Sequence, residues 1–141
     1  MWVGIFLALD YGEKRTGIAV TDINKIIASG HIALSTKEVI PYLIKYCEKN
    51  LVEKFIIGHP KKYNNSESQV EAKIKNFIKK LNLYLPKVPI VRHDERFTSK
   101  IASNVILESG VKKRKRKDKF LVDKVSATIL LQSYLFTQNN I

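Results

Sequence analysis

The chain reads as an α/β protein, a mixed sheet with helices packed on it. Three observations predict that class. The first third holds three apolar runs joined by short polar breaks, which is how antiparallel neighbours are connected. From Ile40 the apolar residues change to helical spacing. After that, helical stretches alternate with short apolar runs, the pattern of parallel strands with helical crossovers. At 141 residues the chain is expected to form one domain, 1–141, long enough to close a core without staples.

The elements follow in order. Residues 3–9 are a nearly continuous apolar run, as expected for a strand covered on both faces. The tight charged turn Glu13-Lys14-Arg15 leads to a second strand at 17–21. The polar break Asp22-Ile23-Asn24-Lys25 leads to a third at 26–34. Ile40, Leu43, Ile44, Cys47 and Leu51 then trace a helix. Ser35 with Glu38 has the form of a capping box, whereas Pro41, tolerated only in a first turn, argues for a later start. Residues 55–57 form a short buried strand closed by Gly58-His59-Pro60, and a polar loop covers 61–67. Ser68 with Glu71 has the form of a second capping box. Val70, Ile74, Phe77, Ile78 and Leu81 then line one helix face. The fifth strand, 88–91, runs into HDERFTSK. Ile101, Val105 and Ile106 give a short helix ended by Gly110. A basic run fills 112–119. The final helix spans about 122–136, with Val122, Val125, Ile129 and Phe136 on its apolar side.

Composition narrows the partners. Twenty-five Lys and Arg against thirteen Asp and Glu give a formal charge of +12. Such a field favours polyanions, nucleic acid first and anionic membrane second. Lysine-rich composition also accompanies life at high temperature, so charge alone does not select nucleic acid. The single cysteine, Cys47, excludes an internal disulfide and reads as a small core residue. The apolar stretch 2–9 is too short to span a bilayer and lacks a basic leader, so a cytoplasmic protein without a membrane partner is expected.

The chemistry lies in the acids at strand ends. Asp10 ends the first strand, Asp94 and Glu95 end the fifth, and Asp123 opens the final helix. If the first strand is central, three carboxylates from distant parts of the chain converge. Mg²⁺ takes oxygen ligands, few of them from protein. Paired ions of that kind activate a water and stabilise the leaving oxygen in phosphodiester cleavage. The constellation therefore suits a metal-dependent nuclease. Each acid also has a plainer reading. Asp123 suits a helix N-terminus, Asp94 and Glu95 could pair with Arg92 and Arg96, and Asp10 before Gly12 could cap a turn.

The chain resembles the YqgF/RuvX family, described as pre-16S rRNA nucleases and as Holliday-junction-resolvase-like. The resemblance begins with LALDYGEKRTGIAV at 7–20. It continues through Gly58 and Pro60, then Asp94-Glu95-Arg96-Phe97-Thr98-Ser99, a lysine-rich segment, and Val122-Asp123-Lys124 leading into an aliphatic helix. His59 departs from the family's usual aliphatic residue, and Asn64-Asn65-Ser66 from its glycine-containing turn. The resemblance implies an RNase H-like fold with a five-stranded mixed sheet, its first three strands antiparallel. It implies Asp10, Glu95 and Asp123 as catalytic residues and metal ligands, for Mg²⁺ or alternatively Mn²⁺. Glu95 is preferred to Asp94, because neighbours on a strand point to opposite faces.

The roles proposed for other residues rest on chemistry. Gly12 and Gly58 let backbone approach a phosphate closely, with plain turn geometry as the alternative. Arg96 can grip a phosphate bidentately. Thr98 and the basic residues Lys112, Lys113, Arg114, Lys115 and Arg116 complete the substrate-binding candidates, while His59 and His93 could assist proton transfer but read rather as structural or incidental. The implied activity is endonucleolytic hydrolysis in structured nucleic acid. The first choice of substrate is precursor 16S rRNA near its 5′ end, in the setting of a ribosomal subunit precursor. A branched DNA junction is the alternative. A resolvase acting on a two-fold junction calls for a homodimer, whereas an RNA processor can be a monomer. A non-catalytic nucleic-acid-binding module fits the charge equally, and retention of all three acids argues against it. An actin-like or sugar-kinase-like ATPase opens with a similar strand and turn but needs two lobes, and this chain has length for one.

Overall fold

The computed structural model describes residues 4–60, 69–94 and 118–139. Its sheet has five strands: β1 Ile5–Asp10, β2 Arg15–Thr21, β3 Ala28–Ser35, β4 Val52–His59 and β5 Ile90–Asp94. They lie in the order β3-β2-β1-β4-β5. β1 pairs antiparallel with β2, and β2 with β3. β4 pairs parallel with β1, and β5 with β4. The central β1 and the antiparallel first half are as the sequence predicts. The three parallel strands all end at one end of the sheet, which gathers Asp10, His59 and Asp94 there. Antiparallel β2 starts at that same end, with Arg15.

Among the described residues the helices are α1 Val39–Lys49, α2 Glu71–Tyr84 and α3 Lys119–Asn139, with a short 3-10 turn, Thr36–Glu38, before α1. Strand alternation divides the core in two. Leu7, Leu9, Ile18, Phe55 and Ile57 face α1 and α2, meeting Val39, Leu43, Ile74, Phe77 and Leu81. Ala8, Ala19 and Ile56 face α3, meeting Ala127, Leu130, Leu131 and Tyr134. A strand buried on both faces needs no polar positions, which explains the unbroken apolar run of β1.

The two faces differ in side-chain size for a physical reason. The face toward α3 carries small residues, so the helix backbone can settle on the sheet. A Cβ at Gly17 would lie 2.0 Å from the carbonyl oxygen of Asp123, and one at Gly30 would lie 2.8 Å from Cγ of Lys124. α3 and β2 are therefore in backbone contact at Gly17.

Several local expectations are corrected. The capping box expected at Ser35 and Glu38 does not form. Ser35 makes no side-chain cap bond, and Glu38 lies in the 3-10 turn ahead of α1. Pro41 falls in the first turn of α1, where its missing N–H costs nothing. The N-cap of α2 is Val70 without a side-chain cap. Ser68 lies outside the described residues, and the Glu71 carboxylate is committed to Arg92. β4 does not stop at 57: Gly58 and His59 pair with His93 and Asp94 inside the sheet. Phe136 is exposed, and α3 instead buries Ala127, Leu130, Leu131 and Tyr134. Cys47 packs against the larger core cluster, and burial pushes its thiol pKa up, consistent with a core role. The short helix expected at 101–106 lies outside the described residues.

The Glu71–Arg92 pair welds α2 to β4 and β5. Both guanidinium Nη atoms reach the carboxylate, at 2.8 and 2.7 Å, and Nη2 also donates to the Gly58 carbonyl at 2.8 Å. The Glu71 side chain is 1% exposed. These charge-assisted bonds offset the desolvation that burial imposes and hold its carboxyl below the ordinary carboxylate range. A depressed folded pKa means the pair's contribution is present above the unfolded pKa and is lost as acidification protonates Glu71. Glu71→Gln should cost about 3 kcal/mol at neutral pH, because it strands a largely buried Arg92. Denaturant melts from pH 7 down to pH 3 should show a shallower fall in stability for Glu71→Gln than for the parent. The contact at Gly17 gives a second test. Gly17→Ala should destabilise by about 1–3 kcal/mol through overpacking, and α3 amides should exchange faster with solvent deuterium as the helix is pushed from β2.

Candidate active site

Asp10 ends β1 with the parity of Phe6 and Ala8, which pack toward α3. Its partner across β2 is Gly17. Gly17 is also where the Asp123 backbone touches the sheet. Asp10 and the Asp123 backbone, far apart in sequence, thus both border Gly17 at one end of the sheet. A side chain at position 17 would run into the Asp123 backbone.

Arg15 completes this corner. Its Nε donates to Oδ2 of Asp123 at 2.8 Å, with the two side chains 30% and 22% exposed. The plainer reading of Asp123, as an acid that starts a helix, falls instead to Asp118. Oδ1 of Asp118 accepts the backbone N–H groups of Phe120 and Leu121, at 3.1 and 3.3 Å. Asp123 lies more than a turn inside α3, beyond the reach of orphan helix-start amides. Its carboxylate is committed to the strand side.

The loop after Asp10 is pinned from below. The Thr36 hydroxyl donates to the Gly12 carbonyl at 2.6 Å, and the Thr36 N–H donates to the Lys14 carbonyl at 2.9 Å. With its one proton spent, Thr36 Oγ1 accepts from the buried Thr16 hydroxyl at 2.9 Å. A Cβ at Gly12 would lie 2.4 Å from the Arg15 carbonyl oxygen, so glycine is what lets this turn close. Arg15, Thr16 and Thr36 were not among the residues singled out from sequence. Arg15 carried a readable signal, a cation five residues after a strand-end acid. The threonines carried none, because their partners are backbone and each other.

At the far side of the same end, β5 alternates between the two layers. Val91 and His93 face α3: His93 Nε2 lies 2.8 Å from Ser133 Oγ, and its ring packs edge-on against Tyr134. Burial lowers the His93 pKa, against a smaller opposing effect of the Asp94 charge. Arg92 faces the other way, toward α2. Gly58 sits inside β4 beside His93. His59 Nε2 is 3.5 Å from Glu71 Oε2, with no hydrogen-bond partner among the described residues. His93 thus packs on α3, and His59 lies beside the buried Glu71 carboxylate.

Glu95, Arg96, Thr98, Lys112, Lys113, Arg114, Lys115 and Arg116 lie outside the described residues. Among the described residues no group of three or more His, Cys, Asp or Glu could hold a metal ion. The two acids that border Gly17, Asp10 and Asp123, carry hard carboxylate oxygens. They suit Mg²⁺ or Mn²⁺ rather than a thiophilic metal, and Asp123 already faces a cation in Arg15. No helix among the described residues is long and apolar enough to cross a membrane.

Comparison with known proteins places the chain in a family and agrees with its fold. The model of the RuvX family, described as Holliday junction resolvase, matches residues 4–137. A relative from Phocaeicola vulgatus, named "Putative pre-16S rRNA nuclease", is 49% identical over 129 residues, covering 92% of this chain and 93% of its own. One of the same name from Porphyromonas gingivalis is 48% identical over 133 residues, covering 94% and 96%. Among solved structures, T. thermophilus RuvC in complex with Holliday junction substrate shares the fold at a TM-score of 0.57 and 11% identity, over 97% of this chain and 96% of that one. The five-stranded mixed sheet is thus the RNase H-like architecture of RuvC. With a family model spanning almost the whole chain and relatives close to half identical along it, the chain belongs to the RuvX family.

Proposed function

We propose that this protein is a divalent-metal-dependent endonuclease that hydrolyses phosphodiester bonds in structured nucleic acid. Its first substrate is precursor 16S rRNA near the 5′ end, and it works in the cytoplasm. The observation that carries the reading is that Asp10 and the Asp123 backbone both border Gly17, at the end of the sheet where β1, β4 and β5 terminate. The names of the relatives support the RNA substrate. The family's description as Holliday junction resolvase supports a second reading, branched DNA, cut by the same carboxylates.

In this reading Asp10 and Asp123 supply anionic oxygens for Mg²⁺ or Mn²⁺, and Glu95 supplies the third carboxylate. Such an ion, when bound, polarises the phosphoryl group and makes a water more acidic. Parity favours Glu95 over Asp94. Arg92 faces α2 and His93 faces α3, so Asp94 has the parity of Arg92, away from the face of Asp10. Arg15 fixes the Asp123 carboxylate through one oxygen. Gly12 and Gly58 keep the rim of the site free of side chains. Arg96, Thr98 and the basic residues Lys112, Lys113, Arg114, Lys115 and Arg116 are the proposed contacts to substrate phosphates.

Purified protein given matched precursor RNA and branched DNA, with and without Mg²⁺, tests the reading directly. Metal-dependent cleavage of RNA alone supports the first substrate, and cleavage of the junction alone supports the second. No cleavage of either under any divalent ion defeats both. Asp10→Asn should lower cleavage about a thousand-fold or more while folding and nucleic-acid binding persist. In the paired comparison at the end of β5, Glu95→Gln should match that loss and Asp94→Asn should stay within about tenfold of the parent. Equal losses, or the reverse order, would remove Glu95 from the site.

A further inference from the structure

A second cleft opens at the same end of the sheet, on the side away from Asp123. Tyr11 follows Asp10 and by alternation faces the α1/α2 layer, where its ring packs on Phe77 with centroids 5.2 Å apart. Around it lies a depression of about 410 Å³ lined by Lys37, Lys73, Asn76 and Lys80. Lys73, Asn76, Phe77 and Lys80 fall on one stripe of α2, three and four residues apart. Lys37 enters from the 3-10 turn before α1. Thr36, which clamps the Gly12 carbonyl, lines the same cleft.

Three lysines thus line a hollow whose named lining contains no carboxylate. The acid at its mouth is Glu13, paired with Lys73 at 2.9 Å with both side chains 56% exposed. A water-exposed pair of that kind is worth little, so Lys73 can exchange partners at small cost. The chemistry selects an anion rather than a cation or an apolar ligand, and Asn76 adds a neutral amide that donates to oxygen. We propose that this cleft binds backbone phosphates of the same nucleic-acid strand whose scissile bond lies over Asp10, so that the substrate wraps the end of the sheet. The proposal rests on the nuclease reading and adds to it a phosphate site on the opposite face from the carboxylates.

The test uses the full-length protein in EDTA, so that binding is read without cleavage. The probe is a fluorescein-labelled RNA hairpin with an unpaired 5′ flank, titrated at several salt concentrations. Lys37 and Lys80 are exposed, so the double variant Lys37→Ser/Lys80→Ser should melt like the parent. It should bind about tenfold more weakly and lower the salt slope by about 0.7–1.4, the release expected for one or two single-strand phosphates. A charge-matched control, Lys45→Ser/Lys49→Ser on the exposed side of α1, should leave the slope near that of the parent. Asn76→Asp, which places a carboxylate in the cleft, should weaken binding without removing any lysine.

A cleft variant with the parental slope overturns the proposal, and so does an equal fall in the control. If inorganic phosphate or a nucleoside monophosphate occupies the cleft while the cleft variant binds RNA like the parent, the site serves small anions and the proposal fails. If the parent itself binds neither RNA nor branched DNA, the nuclease reading fails along with it. Parental binding with an unaffected cleft variant leaves that reading intact and removes only the cleft.

Discussion

The backbone contact between α3 and β2 at Gly17 is the constraint on which the site depends. A helix packed on a sheet through large side chains stands about 10 Å away from it, the usual spacing of packed layers. Here the Asp123 carbonyl lies where a Cβ of Gly17 would be, so the helix reaches the strand itself. Only at that range can a helix-borne carboxylate share a corner with Asp10, which pairs with Gly17 on the neighbouring strand. The alanines at positions 8 and 19 and the glycine at position 30 extend the low relief under the helix. The GIAV run of β2 is therefore a sequence of heights as much as of hydrophobicities.

Around that corner the polar interactions divide between the two layers. On the α3 side Arg15 meets Asp123, and an ion pair this accessible contributes modestly to stability. Its value lies in fixing a rotamer. On the other side Thr36 gathers the Gly12 carbonyl, the Lys14 carbonyl and the Thr16 hydroxyl into one network. The peptide between Asp10 and Tyr11 belongs to both layers. Whatever moves the loop from one face therefore moves it on the other.

Much of the fold was legible because its signals are periodic. The apolar run of β1 announced burial on both faces, the short breaks announced antiparallel pairing, and the spacing of Ile74, Phe77 and Leu81 announced α2. The acids Asp10 and Asp123 stood out in the sequence by their places at a strand end and at the head of the last helix, and the fold brings Asp10 and the Asp123 backbone to Gly17. What escaped depends on partners remote in sequence. Glu71 reads locally as a helix-start acid, yet Arg92 claims it from another strand. Phe136 reads as core by spacing, but the register of α3 is set by the small residues beneath it, and those select Leu130, Leu131 and Tyr134. Gly58 looks like punctuation after a strand because a glycine in sequence does not reveal its β5 neighbour. The role of Gly17 needed the helix in place before it had meaning.

The Glu71–Arg92 pair has a consequence for how this sequence can drift. Each member is tolerable in its surroundings only because the other is present: alone, either leaves a charge with few partners at a cost of several kcal/mol. Stepwise replacement therefore passes through an intermediate that much of a domain's net stability would be needed to survive. Two compensated endpoints exist, the ion pair and an apolar pair of similar volume, with a deep valley between them. Lineages should occupy one or the other and rarely cross. Positions 71 and 92 would then vary as a single character.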